Sequence, residues 1–201
     1  MTSLFQAPNE AALLRLILDF PLAWVVSHGG DAFAATPLPL VAERDAEGRL
    51  VSLVGHLPRA NPQVAVLAAE PEALVLFQGP QGYISTSLVS DPASAPTWNY
   101  AVARFVCRIE FRPDENDRAL RMLTAQAEAA HGTDWSVEKM GARYASMQKR
   151  IVAFRAHILS RHVTFKLGQD ERPADFAAIV AGLRDPLLAG WMQAAVVPDE
   201  G

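Results

Sequence analysis

Apolar residues along the chain repeat with two different periods, and the switches between them predict its elements. After Pro8-Asn9-Glu10, the residues Leu13, Leu14, Ile17 and Leu18 fall on one face at helical spacing, so a helix opens there. Residues 22–27 (LAWVVS) read as a short apolar strand, closed by His28-Gly29-Gly30. Residues 32–41 read as a second strand. Pro37 and Pro39 place two missing N–H groups on the same side, which suits a sheet edge. A turn at 45–48 and a third strand over 49–57 then predict a hairpin. Residues 58–64 (PRANPQV) break the pattern. A fourth strand over 74–77 ends in Gln78-Gly79-Pro80, with Tyr83-Ile84-Ser85 continuing it past a bulge, and 88–96 is a polar loop.

From 101 to 112 the alternation is nearly strict. Ala101, Ala103, Phe105, Cys107, Ile109 and Phe111 share one face, while Arg104, Arg108, Glu110 and Arg112 share the other with Val102 and Val106, as in a half-exposed antiparallel strand. The period turns helical over 114–130, with Leu120, Leu123 and Ala127 on one side, and stops at His131-Gly132. Ser136 reads as the N-cap of a further helix carrying Met140, Tyr144, Met147 and Ile151. Two strands follow over 152–159 and 164–169. Pro173 then starts a last helix over 174–183, with a short continuation over 187–196. Six or so antiparallel strands with helices before and between them predict an α+β protein built on a small, mainly β barrel, not a repeating βαβ sheet. The expected organisation is one domain over 1–201, with a helical insertion near 114–150 and a helical extension near 173–197.

Composition narrows the function classes. Of the 201 residues, 50% are hydrophobic and 20% are charged, which suffices for one buried core. The net charge of −4 supplies no basic face, so direct nucleic-acid binding is not expected. No span approaches the ~18–20 apolar residues of a membrane helix, and the N-terminal segment lacks a basic leader, so the expectation is a cytoplasmic protein. The single cysteine, Cys107, excludes an internal disulfide and reads as a small apolar strand residue. The five histidines, His28, His56, His131, His157 and His162, contain no closely spaced ligand pair, so no metal site is expected. Nucleophile-elbow, phosphate-loop and dinucleotide motifs are absent.

Three positions carry candidate chemistry. Arg59 is the only basic residue between Arg49 and Arg104, and His56, Asn61 and Gln63 flank it in GHLPRANPQ. An isolated guanidinium among amides suits a phosphate; the alternative is an ordinary surface arginine beside a turn. Thr97-Trp98-Asn99-Tyr100 places aromatics around an amide at a strand start, which suits a planar cofactor or, equally, an aromatic anchor at a subunit interface. Lys166, one of three lysines, precedes Gln169 in FKLGQ, and a strand would turn it away from Phe165 and Leu167 towards solvent.

Five segments in order, ATPLPL (35–40), GHLPRANPQ (55–63), FQGPQGYIS (77–85), PTWNY (96–100) and FKLGQ (165–169), carry a resemblance to the PaiB family of FMN-binding negative transcriptional regulators, from about residue 5 to 185. That family is related to the split β-barrels of pyridoxamine-phosphate oxidases and flavin reductases, which dimerise and place two FMN sites at the subunit boundary. The resemblance implies an FMN-binding split β-barrel acting as a homodimer. In it Arg59 and Asn61 hold the phosphate, His56, Trp98 and Asn99 contact the ring or ribityl chain, and Lys166 and Gln169 close the site. Several positions depart from the family pattern. Pro37 stands for a usual His, Val64 for Trp, Thr86 for Pro, Leu88-Val89 for Trp-Tyr, and Gly168 and Asp170 for Ser and Asn. The enzyme class implied is an FMN-dependent oxidoreductase acting on an unidentified small molecule, and no side chain stands out as a general acid or base. The alternatives are a regulator without a recognisable DNA-binding motif, a haem-binding barrel using His28, His157 or His162, and a scaffold without cofactor.

Overall fold

The computed structural model describes residues 4–30, 32–91 and 93–196. Among them, seven strands form one antiparallel sheet: β1 (Leu22–Gly29), β2 (Ala32–Pro39), β3 (Val41–Arg44), β4 (Leu50–Pro58), β5 (Glu72–Ile84), β6 (Thr97–Phe111) and β7 (Ile151–Lys166). Their order is β2-β1-β5-β6-β7-β4-β3. The two edge strands, β2 and β3, are separated in sequence by Leu40 alone. A sheet whose opposite edges are joined through one residue must curl until those edges meet, and that closure makes the barrel. Leu40 is fully buried at the junction.

The expected second strand over 32–41 is therefore two strands on opposite edges. The Asp45–Gly48 turn joins β3 to β4, while β2 pairs with β1 along its length. The edge position read from Pro37 and Pro39 holds. The two strands expected over 152–169 are one, β7, whose pairing with β6 shifts register at Val106/Cys107. The bulge expected in the fourth strand lies between Gln78 and Gln81 of β5.

Among the described residues six α-helices attach to this sheet. Asn9 caps α1 (Glu10–Asp19) by accepting from the Ala12 amide at 2.8 Å, and its buried face is Leu13, Leu16 and Ile17; Leu18, expected inside, is exposed because Leu16 takes the inward position. The sequence pattern did not show α2 (Gln63–Ala69), since Pro62 opens it inside a segment that reads as a loop. After β6, α3 (Asn116–His131) ends on Gly132 in the left-handed region, as expected. The next helix is divided. A short 3-10 turn over Val137–Met140 stops at Gly141 before α4 (Ala142–Gln148), and Ile151, expected on that helix, already belongs to β7. α5 (Pro173–Gly182) and α6 (Pro186–Val196) close the described chain; residue 197 of the expected extension lies outside the described residues.

Inward residues of every long strand meet in one core, with Phe77, Phe105, Phe154 and Phe165 fully buried. The outer surface is treated in two ways. Over β4 and the start of β7, α3 covers it, so that Val54 and Ala153 pack with Ala119. Glu43 of β3 ties this side together, accepting from Arg155 at 2.6 Å, Ser52 at 2.6 Å and Arg118 of α3 at 2.7 Å. Burial alone would raise the Glu43 pKa, but these donors overcome it and hold the carboxyl at about 2. Over β1, β5 and the middle of β6 the outer face is bare, and Leu22, Trp24 and Val106 are exposed there.

Candidate functional site

The seven candidate residues fall into two groups. His56, Arg59 and Asn61 lie at the end of β4, where Pro58 pairs with Ile151 at the beginning of β7. Trp98 and Asn99 lie at the start of β6, beside Lys166 and Gln169 at the end of β7, where Tyr100 pairs with Lys166. Fifteen residues of strand separate Ile151 from Lys166, or about 50 Å along the strand's path at ~3.3 Å per residue. One subunit does not bring the two groups together.

In the first group Arg59 is exposed. Its amide donates to the Arg150 carbonyl at 2.8 Å and its Nε to the Lys149 carbonyl at 3.1 Å, which leaves both terminal nitrogens without a partner among the described residues. The same two bonds bring Lys149 and Arg150 alongside, and neither makes an ion pair among the described residues. The sequence reading missed these two cations. A signal existed: from Lys139 to Gln169 there is no Asp or Glu, while seven of the chain's Lys and Arg residues fall there. Lys139, Arg155 and Arg161 of that run pair with Asp134, Glu43 and Glu10, whereas Lys149 and Arg150 stand beside Arg59 without an ion pair among the described residues.

Asn61 and Gln63 serve mainly to hold the loop. Asn61 donates to the Thr36 hydroxyl at 3.1 Å and accepts from the Gln63 amide at 2.9 Å. Gln63, only 1% exposed, donates to the Val25 carbonyl and the Ser27 hydroxyl, both at 3.0 Å, and accepts from Thr36 at 2.6 Å. This network fastens α2 to β1 and β2 and fixes where the Arg59 turn sits. His56 is half-buried, and its Nδ1 is buried without a hydrogen-bond partner among the described residues. Burial pushes its pKa below the usual imidazole range, favouring the neutral ring.

In the second group, side-chain direction splits neighbours. Trp98 is 53% exposed and meets Tyr83 edge to face, with ring centroids 5.9 Å apart. Asn99, 2% exposed, points to the opposite side and donates to Met192 Sδ at 3.5 Å under α6. Lys166 is half-buried and donates to the Thr97 hydroxyl. Gln169 folds back on its own turn, accepting from the Leu167 amide at 2.8 Å and donating to the Phe165 carbonyl at 2.5 Å, around Gly168 with a φ of +86°. Trp98 and Lys166 therefore face outward, where a ligand can reach them, while Asn99 and Gln169 support the backbone behind.

Cys107 is buried and its thiol is pushed up to about 12, as its strand position implies. His157 bonds Glu110 at 2.7 Å, and His28 packs edge to face on Phe33. Among the described residues no group of His, Cys, Asp and Glu could hold a metal ion, and no helix is long and apolar enough to cross a membrane.

Comparison with known proteins agrees with this architecture. The profile of the family described as "Putative FMN-binding domain" matches residues 1–160. The chain is 26% identical, over 183 residues, to Protease synthase and sporulation protein PAI 2 of Bacillus subtilis strain 168, covering 90% of this chain and 87% of that one. Among solved structures it is similar to the FAD and haem binding protein from Mycobacterium smegmatis, with a TM-score of 0.59 at 19% identity over 86% of this chain and 79% of that one. It is also similar to the flavocytochrome Anf3 from Azotobacter vinelandii, with a TM-score of 0.57 at 15% identity over 87% of this chain and 75% of that one. At these identities the structural likeness is one of fold.

Proposed function

The chain belongs to this family of FMN-binding domains, and from that premise we propose that it holds FMN as a homodimer, in two sites each built from both subunits, and works as a flavin-dependent redox or regulatory protein. The division of the candidate residues between opposite ends of β7 carries the reading. Each end offers half of what FMN needs: an unpaired guanidinium for the phosphate at one, and outward aromatic and polar side chains for the ring at the other. A second copy in C2 symmetry brings the two halves together twice, since each subunit then gives one end and receives the other. The bare apolar outer face around Leu22, Trp24 and Val106 is the surface such a copy would cover.

Within that site Arg59, with Lys149 and Arg150 beside it, binds the phosphate, and Asn61 keeps the turn in register. His56, half-buried two residues before Pro58, lies at the same end. Trp98 and Lys166 bound the ring end, with Asn99 and Gln169 behind them. Bound FMN supplies the hydride or electron chemistry, and the protein supplies position and electrostatics. No residue in either group is arranged as a general acid or base, so the reaction or signal served stays with the partner molecule.

The test is a pair of titrations by flavin fluorescence on purified protein and on Arg59→Ala. A charge-assisted hydrogen bond contributes roughly 1.5–3 kcal/mol, so the variant should bind FMN about ten- to a hundredfold more weakly. Riboflavin, which lacks the phosphate, should be little affected. Equal losses for both ligands would show that Arg59 holds the loop, and no loss for either would put the phosphate elsewhere. The absorption spectrum of the same sample separates cofactors: a band near ~450 nm marks flavin, whereas a Soret band near ~400 nm would favour haem.

A further inference from the structure

A cleft of about 540 Å³ opens at the far end of β5, and none of the seven candidate residues lines it. Its origin is topological. Pairing of β1 with β5 reaches only to Leu76, so beyond that point this edge of β5 carries no strand among the described residues. The 3-10 turn over Thr86–Leu88 and the connection between α5 and α6 come up to it instead. Two glycines permit the close approach. A Cβ on Gly82 would lie 2.6 Å from Leu188 Cδ2, and one on Gly182 would lie 2.4 Å from Leu88 Cδ2. Leu188 is fully buried, Leu88 and Leu183 are half-buried, and together they line the cleft with apolar surface. Tyr83, exposed and held edge to face on Trp98, adds an aromatic wall.

The polar groups of the cleft are few and differ in how far they are engaged. Arg184 is exposed and makes no ion pair or hydrogen bond among the described residues. The hydroxyls of Ser85 and Ser87 lie 2.9 Å apart. Their mutual bond uses one of their two protons, so whichever hydroxyl donates, the other keeps an O–H for a ligand. Asp185 is already engaged, accepting from the Leu187 amide at 2.9 Å at the start of α6. A guanidinium and a hydroxyl donor above leucines suit a molecule with an apolar body and one anionic group. The negative charge of Asp185 limits that group to a single charge, since a dianion such as a phosphomonoester would be repelled. An arene suits the body, because Tyr83 offers it a ring to pack against. The volume lies within the range of small-molecule sites.

We propose that this cleft binds a small aromatic monocarboxylate, with Arg184 and the Ser85–Ser87 pair taking the carboxylate and Leu88, Leu183 and Tyr83 enclosing the ring. The site is separate from the residues assigned to FMN and does not depend on the flavin reading.

Isothermal titration calorimetry on the full-length protein, Arg184→Gln and Ser87→Trp tests it, with hydrocinnamate, its neutral amide and phenyl phosphate as probes. Hydrocinnamate should bind the unaltered protein with a Kd of roughly 0.1–1 mM, as expected for a ligand of about ten heavy atoms. The amide and phenyl phosphate should each bind about tenfold more weakly. Arg184→Gln should lower the affinity for hydrocinnamate about tenfold and leave that for the amide unchanged. Ser87→Trp, at an exposed position, fills the cleft and should abolish binding of both. Hydrocinnamate and its amide binding alike, or losing alike in Arg184→Gln, would overturn the assignment of the carboxylate to Arg184. Binding of hydrocinnamate undiminished in Ser87→Trp would put it outside the cleft. Its displacement by FMN would make the cleft part of the flavin site, and no heat with the unaltered protein at millimolar hydrocinnamate would remove the proposal while leaving the flavin reading untouched.

Discussion

Replacing Glu43 by Gln tests how the barrel edge is held. Glu43 receives Arg155 from β7, Arg118 from α3 and Ser52 from β4, so one carboxylate joins three elements that are distant in sequence. Its side chain is 14% exposed, so solvent screens these bonds only in part. The folded-state pKa of about 2 compares with an ordinary value of 4.5. On the linkage relation that difference corresponds to about 3 kcal/mol of stability. Because the folded pKa is the lower one, the unfolded chain binds more protons between the two values. The contribution is therefore complete above pH ~4.5 and disappears as pH falls towards ~2, with about 1.4 kcal/mol already gone at pH ~3.5. Glu43→Gln keeps the shape and one acceptor but removes the charge. It should lose about 2–3 kcal/mol at pH 7, and its deficit should shrink as the pH falls. Urea unfolding followed by circular dichroism at pH ~7, ~4.5 and ~3.5 measures this. A deficit that stays the same at all three would refute the reasoning, since it would mean that the charge of Glu43 is not what the arginines stabilise.

Three further expectations follow from packing. Gln63→Leu leaves the Val25 carbonyl and the hydroxyls of Ser27 and Thr36 without their buried partner, and should cost about 2–4 kcal/mol by chemical denaturation. Gly55→Ala would place a methyl group 2.4 Å from Leu40 Cδ2 and 2.8 Å from Phe154 Cζ at the barrel closure, and should lower stability by about 1–3 kcal/mol with a lower thermal midpoint. Cys107, buried with its thiol held near 12, should react with a disulfide reagent at pH ~8 only as fast as the protein unfolds, and rapid labelling of the native protein would contradict its placement.

Side-chain direction within an element was legible in the sequence, because it depends on a local period. The inward set of β6, Ala101, Ala103, Phe105, Cys107 and Ile109, is buried as its alternation demands, and the termination of α3 at Gly132 followed from glycine's access to the left-handed region. Five motifs in order identified the family. What the sequence could not show was which strand lies beside which. Alternation says in or out but names no neighbour, so 32–41 read as one strand hairpinned to 49–57, whereas the barrel sends β2 and β3 to opposite edges around Leu40. Likewise β7 read as two strands, because a register shift against β6 interrupts the alternation without ending the pairing. Arg59 and Lys166 were legible as separate candidates. Their separation by the length of β7, the network that makes Gln63 structural, and the placing of Lys149 and Arg150 beside Arg59 were decided by tertiary contacts between residues far apart in sequence, Arg59 with Lys149 across 90 positions among them. Such contacts form only when the sheet closes, and no local propensity encodes them.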